Sequence, residues 1–496
     1  MLNWKLLLLV SVIFKSQMAG ETAVQAPSFF DDKHTLSIHG RVVNYTQNNE
    51  NSFIQFSTVS AAGIKKDTSI YIDKNGTFTA NLPHLYSGDF TCSYKGRFYT
   101  FYASVNEMLE LTIMGDKSPK GNMTENISCK GKYTELNRLL FDYNVLLRKH
   151  HFNTNVDIGN KKQNDAAFCR TRIKRMTEEM AFLDSFTHRE NKADGTFKIW
   201  AANDIMYSAA NDILFFPFAG KLNTTIDFPV LMTYLATIPV NNKTAFGNTT
   251  YYLFLRNFSR VIQQIVNLNP VYQREIRDNG MDETGIYLKK IDELSSGLSK
   301  QVLYYDLFLS VRPQQVDPFL NSYYRVVTDT YLKSIPGKRP ANAAAGAKRF
   351  NVVEKIKQYK VDDTLKKKLA DIFAAESGKT IFIDFWGSWC APCMSEMPHY
   401  KKLIDSYTGK PISFIFFGVD TPPENAREIM NRNGIEAKYF SLNNAEIAIL
   451  TNIFNFSSYP THLLIDKNGF MHARPWSIFE NGVITDTVKE TINKLL

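Results

Sequence analysis

A chain of 496 residues is too long for one ordinary domain, and three is the expectation from length alone. Hydrophobic residues make up 44% and charged residues 22%, the balance of a folded globular protein and not of a disordered one. The net charge is +9, but no long basic run or nucleic-acid motif accompanies it, so the excess reads as a solvated surface and no nucleic-acid partner is expected.

The chain opens with a short basic stretch, Met1 to Lys5, followed by an unbroken apolar run from Leu6 to Phe14. Small residues come next, at Ala19, Gly20, Ala23 and Ala26. This is the pattern of a cleaved secretory signal peptide, ending near residue 26. The run is too short to cross a bilayer, and no later segment holds the ~18 consecutive apolar residues a spanning helix needs. The expectation is therefore an exported mature chain without a transmembrane span. No cysteine precedes Cys92, which argues against a lipid anchor at the signal.

From about residue 30 to 115 apolar and polar residues alternate with period two, as in Thr35 to Val43 and Ser69 to Asp73. Asp73-Lys-Asn-Gly-Thr77 then leads into Phe78 to Leu82, and an Asn-Gly between strands predicts a type I′ hairpin. Short strands over Phe90 to Tyr94, Arg97 to Ala103 and Leu109 to Ile113 complete a small antiparallel β-domain of sandwich type. It reads as a docking module, or equally as a spacer or dimerisation unit.

The period changes to that of helices from about residue 130 to 334. Leu136, Leu139, Leu140, Tyr143 and Leu146 share one stripe of a helix from Tyr133 to His150. Asp165 to Phe186, Trp200 to Phe215, Phe228 to Thr237, Tyr251 to Leu268, Gly285 to Ser310 and Val316 to Leu332 are further helices of this central all-α region. Its aromatics, such as Tyr304-Tyr305, recur at helical spacing and read as core, so the region is assigned no chemistry. His150 and His151, adjacent on a helix, face different directions and have no spaced partner, so they do not make a metal site. Residues 335–350, small, basic and punctuated by proline, read as a linker.

Residues 351–496 form the third region, which opens with a helical lead-in from Val352 to Ala375. A buried strand, Ile381 to Trp386, then ends in a sharp turn that carries Cys390 and Cys393, and a helix runs from Ala391 through Tyr407, interrupted by Pro398. A Cys-x-x-Cys at such a junction is a redox device. The first thiol sits where the helix presents unpaired N–H groups and its positive end, which stabilises the attacking thiolate. Cys393, one turn on, is placed to attack the resulting mixed disulfide. Asp384 is an acid within an otherwise apolar run, expensive unless used or paired. Burial would raise its pKa and suit it to accept a proton near neutral pH. Trp386 and Trp389 are expected to wall the site. One cysteine pair is half of a structural zinc site at most, so neither a metal nor a cofactor is expected. Cys92, Cys129 and Cys169 remain, and read as buried small hydrophobes with a Cys129–Cys169 bridge as the alternative.

Downstream, Ile412 to Val419 is an apolar central strand. Pro423 to Asn433 is a helix stopped by Gly434, and Ala445 to Ile453 is another. Thr461 to Ile465 and Phe470 to Ala473 are strands joined at Asp466-Lys-Asn-Gly469, and Val483 to Leu496 closes as an amphipathic helix. The order β–α–β–α–β–β–α, with one extra helix before the hairpin, makes this an α/β fold.

The run Trp389-Cys390-Ala391-Pro392-Cys393 resembles the thioredoxin superfamily, specifically the TlpA/ResA-type thiol–disulfide oxidoreductases of the bacterial envelope. The resemblance covers roughly Thr364 to Leu496. It implies a redox disulfide Cys390–Cys393 and a buried acid at Asp384 that exchanges a proton with the second thiol. It also implies a catalytic Glu396, in Cys-x-x-Cys-x-x-Glu-x-Pro with Pro398 as the kinking proline. Ser458-Tyr459-Pro460-Thr461 matches the family loop whose proline is cis and packs against the sulfurs. The substrate-binding set implied is Trp389, Pro392, Tyr459, Pro460 and Thr461. The β-region resembles the β-rich domain that precedes many envelope proteins of this kind. The family's opening Gly-x-x-Ala-Pro-x-Phe motif is missing here, so the domain start looks more like plain thioredoxin.

With Ala391-Pro392 between the cysteines, no charge is offered to the thiolate, and the pair should be reducing, nearer ~−270 mV than ~−120 mV. The expectation is a periplasmic reductase of disulfide-containing envelope proteins, fed by a membrane electron-donor protein as the family implies. An oxidase or isomerase, or a binding and assembly protein with an accessory redox domain, are the alternative readings.

Overall fold

The computed structural model describes residues 28–46, 53–115, 127–150, 165–190, 195–216, 233–234, 236–279, 282–311, 316–338, 350–359, 361, 363–456, 458–473, 478–480 and 482–496. The signal segment, His151, most of the helix expected over Phe228 to Thr237 and most of the linker lie outside these residues.

Alternation near the N-terminus produces eight strands: β1 (Thr35–Val43), β2 (Phe53–Val59), β3 (Lys65–Tyr71), β4 (Thr77–Pro83), β5 (Gly88–Tyr94), β6 (Arg97–Ala103), β7 (Met108–Met114) and β8 (Ile127–Lys130). They form two sheets, ordered β4-β1-β7-β8 and β3-β2-β5-β6. The inward residues of both, Leu36, Ile38, Phe78 and Leu82 from one and Ile54, Phe56, Phe90 and Phe101 from the other, share one core.

Three expectations are corrected here. The region is not wholly antiparallel, because β1 and β7 pair in parallel from Ser37↔Met108 to Val43↔Met114. The Asn75-Gly76 turn does not close a hairpin, since β3 and β4 belong to different sheets. Its Asp73 carboxylate accepts the N–H groups of Asn75 and Thr77 and holds a crossing between sheets instead. The sandwich also runs beyond residue 115, because β8 pairs with β7.

Helices Thr134–Lys149, Asp165–Arg189, Gly195–Phe215, Thr249–Leu268, Pro270–Asn279, Glu283–Leu294, Gly297–Ser310, Val316–Val326 and Thr330–Lys338 follow. The single helix expected over Gly285 to Ser310 is two, broken at Ser295-Ser296, where Gly297 takes a φ of 56°. That expected over Val316 to Leu332 is also two, and residues 335–338 belong to the second and not to a linker. The helices bury a continuous aromatic core that includes Tyr207, Tyr251, Tyr252 and Tyr304. The same core takes in Phe30, whose N–H, with that of Phe29, donates to Asp329. Cys92, Cys129 and Cys169 are all buried free thiols, so no bridge joins the last two. Among the described residues no helix is long and apolar enough to cross a membrane.

The C-terminal region is an α/β layer structure. Its sheet, ordered β11-β10-β9-β12-β13, is built from β9 (Thr380–Trp386), β10 (Ile412–Val419), β11 (Lys438–Leu442), β12 (Thr461–Ile465) and β13 (Met471–Ala473). A two-stranded ribbon, β14 (Phe479–Glu480) and β15 (Val483–Ile484), precedes the last helix, Asp486–Leu495. The strand β11 and this ribbon are additions to the expected order. Strand β9 lies at the centre, parallel to β10 and antiparallel to β12, and all seven of its residues are buried. Period two splits it between two cores. Ile381, Ile383 and Phe385 face helices Asp363–Ala374 and Asn444–Phe454. Phe382 and Trp386 face Ala391–Asp405, Pro423–Arg432 and Asp486–Leu495.

Polar contacts tie the three regions together. Asn452 mimics a strand: its side-chain amide accepts from the Ser69 N–H and donates to the Ser69 carbonyl on edge strand β3. An edge that would otherwise be open is thereby covered by the α/β region. Asp89, only 4% exposed, accepts from Trp200 Nε1 and from the Thr249 N–H, both at 2.8 Å, and so joins sandwich to helices. The variant Asp89→Ala strands both buried donors and should cost about 2–4 kcal/mol. A urea unfolding midpoint equal to that of the wild type would contradict this role.

Candidate active site

The turn after β9 is shaped by what it must fit past. A Cβ on Gly387 would lie 2.6 Å from the Trp389 indole nitrogen and 3.0 Å from the Val419 carbonyl, so only glycine allows that approach. The indole N–H donates to Val419 O at 3.1 Å, and the Ser388 N–H donates to Thr421 Oγ1 at 2.9 Å. The loop after β10 thus pins the turn, and the Cys390 N–H closes it on Gly387 O at 3.0 Å.

Cys390 is the N-cap of helix Ala391–Asp405, and its sulfur accepts the Cys393 N–H at 3.2 Å. A sulfur therefore stands where capping oxygens usually do, on the orphan donors at the positive end of the helix. Ala391 and Pro392 fill the first turn, where a missing N–H costs nothing. Cys390 and Cys393 form a disulfide, with Cα atoms 5.2 Å apart. Cys390 is 4% exposed and Cys393 1%, so the first sulfur is the nearer to solvent.

Around the sulfurs the chain presents apolar surface. Trp389 is 56% exposed and meets the Tyr459 ring edge-on, with centroids 5.6 Å apart. The Tyr459–Pro460 bond is cis, and Thr461, next in the chain, begins β12. Tyr459 packs against the cluster that holds both cysteines. Trp386 does not line the exposed wall of the site as expected: it is fully buried beneath it, against Tyr439, because even-numbered β9 residues point into the core under helix Ala391–Asp405, the one that also holds the cysteines.

A cluster of ionisable side chains lies where β9, β12 and helix Ala391–Asp405 meet. Asp384 is 1% exposed, on the same face of β9 as Phe382 and Trp386. Tyr400, from the helix, donates its hydroxyl to Asp384 Oδ2 at 2.9 Å. Directly across the ladder from Asp384 stands His462 of β12. Its Nε2 lies 3.1 Å from Glu396 Oε2, 3.1 Å from the Tyr400 hydroxyl and 3.5 Å from Asp384 Oδ1. The Glu396 side chain, 18% exposed, is the member of the group that reaches solvent. Burial pushes the Asp384 carboxyl up to about 6; the His462 charge opposes this and the Glu396 charge adds to it. Burial, with the Asp384 and Glu396 charges, holds the Tyr400 phenol well above 10.

Asp384 and Glu396 are thus brought together through Tyr400 and His462, and Trp389 meets Tyr459, which packs against the cluster holding Cys390 and Cys393. Two members of the inner cluster, Tyr400 and His462, went unread in the sequence. Both left a signal. Cys393, Met397 and Tyr400 follow helical spacing toward one face, and His462 interrupts a strand, Thr461-His-Leu-Leu-Ile465, that is otherwise buried and largely apolar.

Residues 378–471 match the family model described as Thioredoxin-like. The thiol-disulfide oxidoreductase ResA of Geobacillus kaustophilus (strain HTA426) is 32% identical over 92 residues, which cover 18% of this chain and 51% of that protein. The chain therefore spans about half the length of the curated relatives it matches. Among solved structures, the thioredoxin domain of a thiol-disulfide oxidoreductase from Bacteroides vulgatus is 18% identical. The match covers 24% of this chain and 81% of that one, with a TM-score of 0.22. A thiol:disulfide interchange protein from Chlorobium tepidum TLS matches at 18% identity, over 25% and 83%, with a TM-score of 0.22.

The raised pKa of Asp384 makes a stability prediction whose sign is fixed. The folded protein keeps this proton up to about pH 6, against 3.8 for the ordinary carboxyl, so its contribution is full below the lower value and is lost as pH rises through the upper one. Asp384→Asn, which cannot ionise, should stabilise the oxidised protein above pH 6 by on the order of 2–3 kcal/mol, a gain that vanishes by about pH 4. Urea unfolding across that range tests it, and equal midpoints at neutral pH would contradict it.

Proposed function

We propose that this chain, whose C-terminal region belongs to the thioredoxin superfamily and resembles the ResA-type enzymes, is an exported thiol–disulfide oxidoreductase that reduces disulfides of envelope proteins. The observation that carries the reading is the Cys390 sulfur at the helix N-cap, bonded to Cys393. Reduced, the pair would work in two steps. The Cys390 thiolate attacks a substrate disulfide, a new bond forms between them, and the first substrate sulfur leaves with the electron pair and takes up a proton. Cys393 then yields its proton to Asp384 and attacks the Cys390 sulfur. That step closes the Cys390–Cys393 bond and releases the second substrate thiolate. The substrate gains two electrons and the protein is left oxidised, the state described above. A dithiol donor must then restore it, and the expected source is a membrane protein.

Trp389, Pro392, Tyr459, Pro460 and Thr461 are assigned to the incoming chain. Trp389 supports this most directly, since a large apolar side chain more than half exposed beside a reactive sulfur has no core to serve. The reducing direction is supported by Ala391-Pro392, which add no charge to stabilise the thiolate further. Export is supported by the apolar run Leu6 to Phe14 behind its basic start.

Cys390→Ser should abolish reduction of a model disulfide such as insulin's. Cys393→Ser should accumulate mixed disulfides with envelope proteins, which mass spectrometry would identify. A fully active Cys390→Ser protein would overturn the assignment. The dithiol's reduction potential, measured against glutathione, should lie below about −200 mV; a value near −120 mV would make the protein an oxidase instead.

A further inference from the structure

Taking the proton off the Cys393 thiol creates a problem the buried carboxyl cannot solve alone. Asp384 is 1% exposed, so a proton it accepts in one turnover has no direct route to water before the next. Two groups bridge it to Glu396, whose side chain is 18% exposed: the Tyr400 hydroxyl and His462 Nε2. The phenol lies 2.9 Å from Asp384 and 3.5 Å from Glu396, but its proton is held well above the range in which it would be surrendered. Imidazole is suited to carry a proton, because it takes one up and gives one back near neutral pH.

We propose that His462 relays the proton between Asp384 and Glu396, so that the proton Cys393 gives up leaves through the buried carboxyl during resolution itself and Asp384 is returned to carboxylate in the same turnover. His462 acts through Asp384 and does not touch sulfur; its one nitrogen, Nε2, serves both carboxylates, at 3.5 Å from Asp384 Oδ1 and 3.1 Å from Glu396 Oε2. The relay requires a neutral ring with its proton on Nδ1: Nε2 then takes the proton from the Asp384 carboxyl, which returns to carboxylate. The same N–H then donates to Glu396, which passes the proton to water and leaves the imidazole neutral again. Opening the disulfide runs the path inward. Titratable groups facing the ring among the described residues include these two acids, from β9 and from helix Ala391–Asp405, and Tyr400 of the same helix. Tyr400 donates to Asp384 Oδ2 and so leaves Oδ1 turned toward the ring. Pairing of β9 with β12 sets the distance, since His462 is the ladder partner of Asp384.

The proposal rests on the reading of Cys390 and Cys393 as the exchanging pair, and one experiment separates the two. Reduced full-length protein is mixed with Ellman's reagent in a stopped-flow instrument between pH 5.5 and 8.5. Attack by Cys390 releases a first thionitrobenzoate, and resolution by Cys393 releases a second. In His462→Gln, which keeps hydrogen bonds but cannot carry a proton, the second release should slow roughly tenfold or more and lose its pH dependence, with the first release unchanged. Glu396→Gln, at a more exposed position, should do the same, and the double variant should be no slower than either single one. A second release at the wild-type rate and pH profile in either variant, or losses that multiply in the double variant, would overturn the relay. Should His462→Gln fail to fold, Glu396→Gln decides alone. Without any fast first release in the wild type, the exchanging pair itself is refuted, and His462 with it.

Discussion

The Cys390 sulfur takes the place of a capping oxygen at the start of a helix, and the architecture around it serves that contact. It accepts the Cys393 N–H, and the helix behind it is held by Met397, Tyr400 and Leu403 packed against β9 and β10. A sulfur in that position is favoured as an anion, because unpaired N–H groups and the helix dipole face it. The turn that delivers it requires Gly387, and a strand buried on both faces anchors the turn. Movement of the turn by an ångström would remove the cap and with it the reason for one thiol to ionise before the other.

A second constraint opposes the first in sign. Placing Asp384 in the core costs stability, since burial raises its pKa from 3.8 to about 6. Such a group persists where its neighbours make the site overdetermined, and here Tyr400, His462 and Glu396 surround it. The helix end thus favours charge at the outer sulfur while the core disfavours charge at the carboxyl behind it.

Much of this could be read from residues near one another in the chain. The Trp389 to Pro398 run, the acid within an apolar strand and the Tyr459-Pro460 loop each announce themselves locally, and the structure brings them together. What escaped depends on long-range pairing. The parallel β1–β7 pair joins residues about seventy apart, and no local signal distinguishes it from an antiparallel one. The Asn75-Gly76 turn has hairpin chemistry, yet it feeds β4 into the other sheet because the hydrophobic faces are satisfied that way. Strand β11 is a short edge of mixed burial, Lys438–Leu442, with little periodicity to find. His462 acquires its meaning only when β12 lies beside β9, although a histidine in a buried strand invites the question asked of Asp384. Asn452 is an ordinary helix residue until the edge of the sandwich meets it.

The sandwich and the helices make up most of the chain, and contact with the α/β region through Ser69 and Asn452 gives the site a fixed neighbour. The chemistry nonetheless turns on one sulfur. Alkylation of the reduced protein by iodoacetamide, followed by mass spectrometry as a function of pH, reads the ionisation of each thiol directly. The account predicts that Cys390 reacts alone, with a midpoint well below the ~8.5 of free cysteine, and that Cys393 stays protected. Equal reaction of both cysteines with a midpoint near ~8.5, or protection of both, would contradict it.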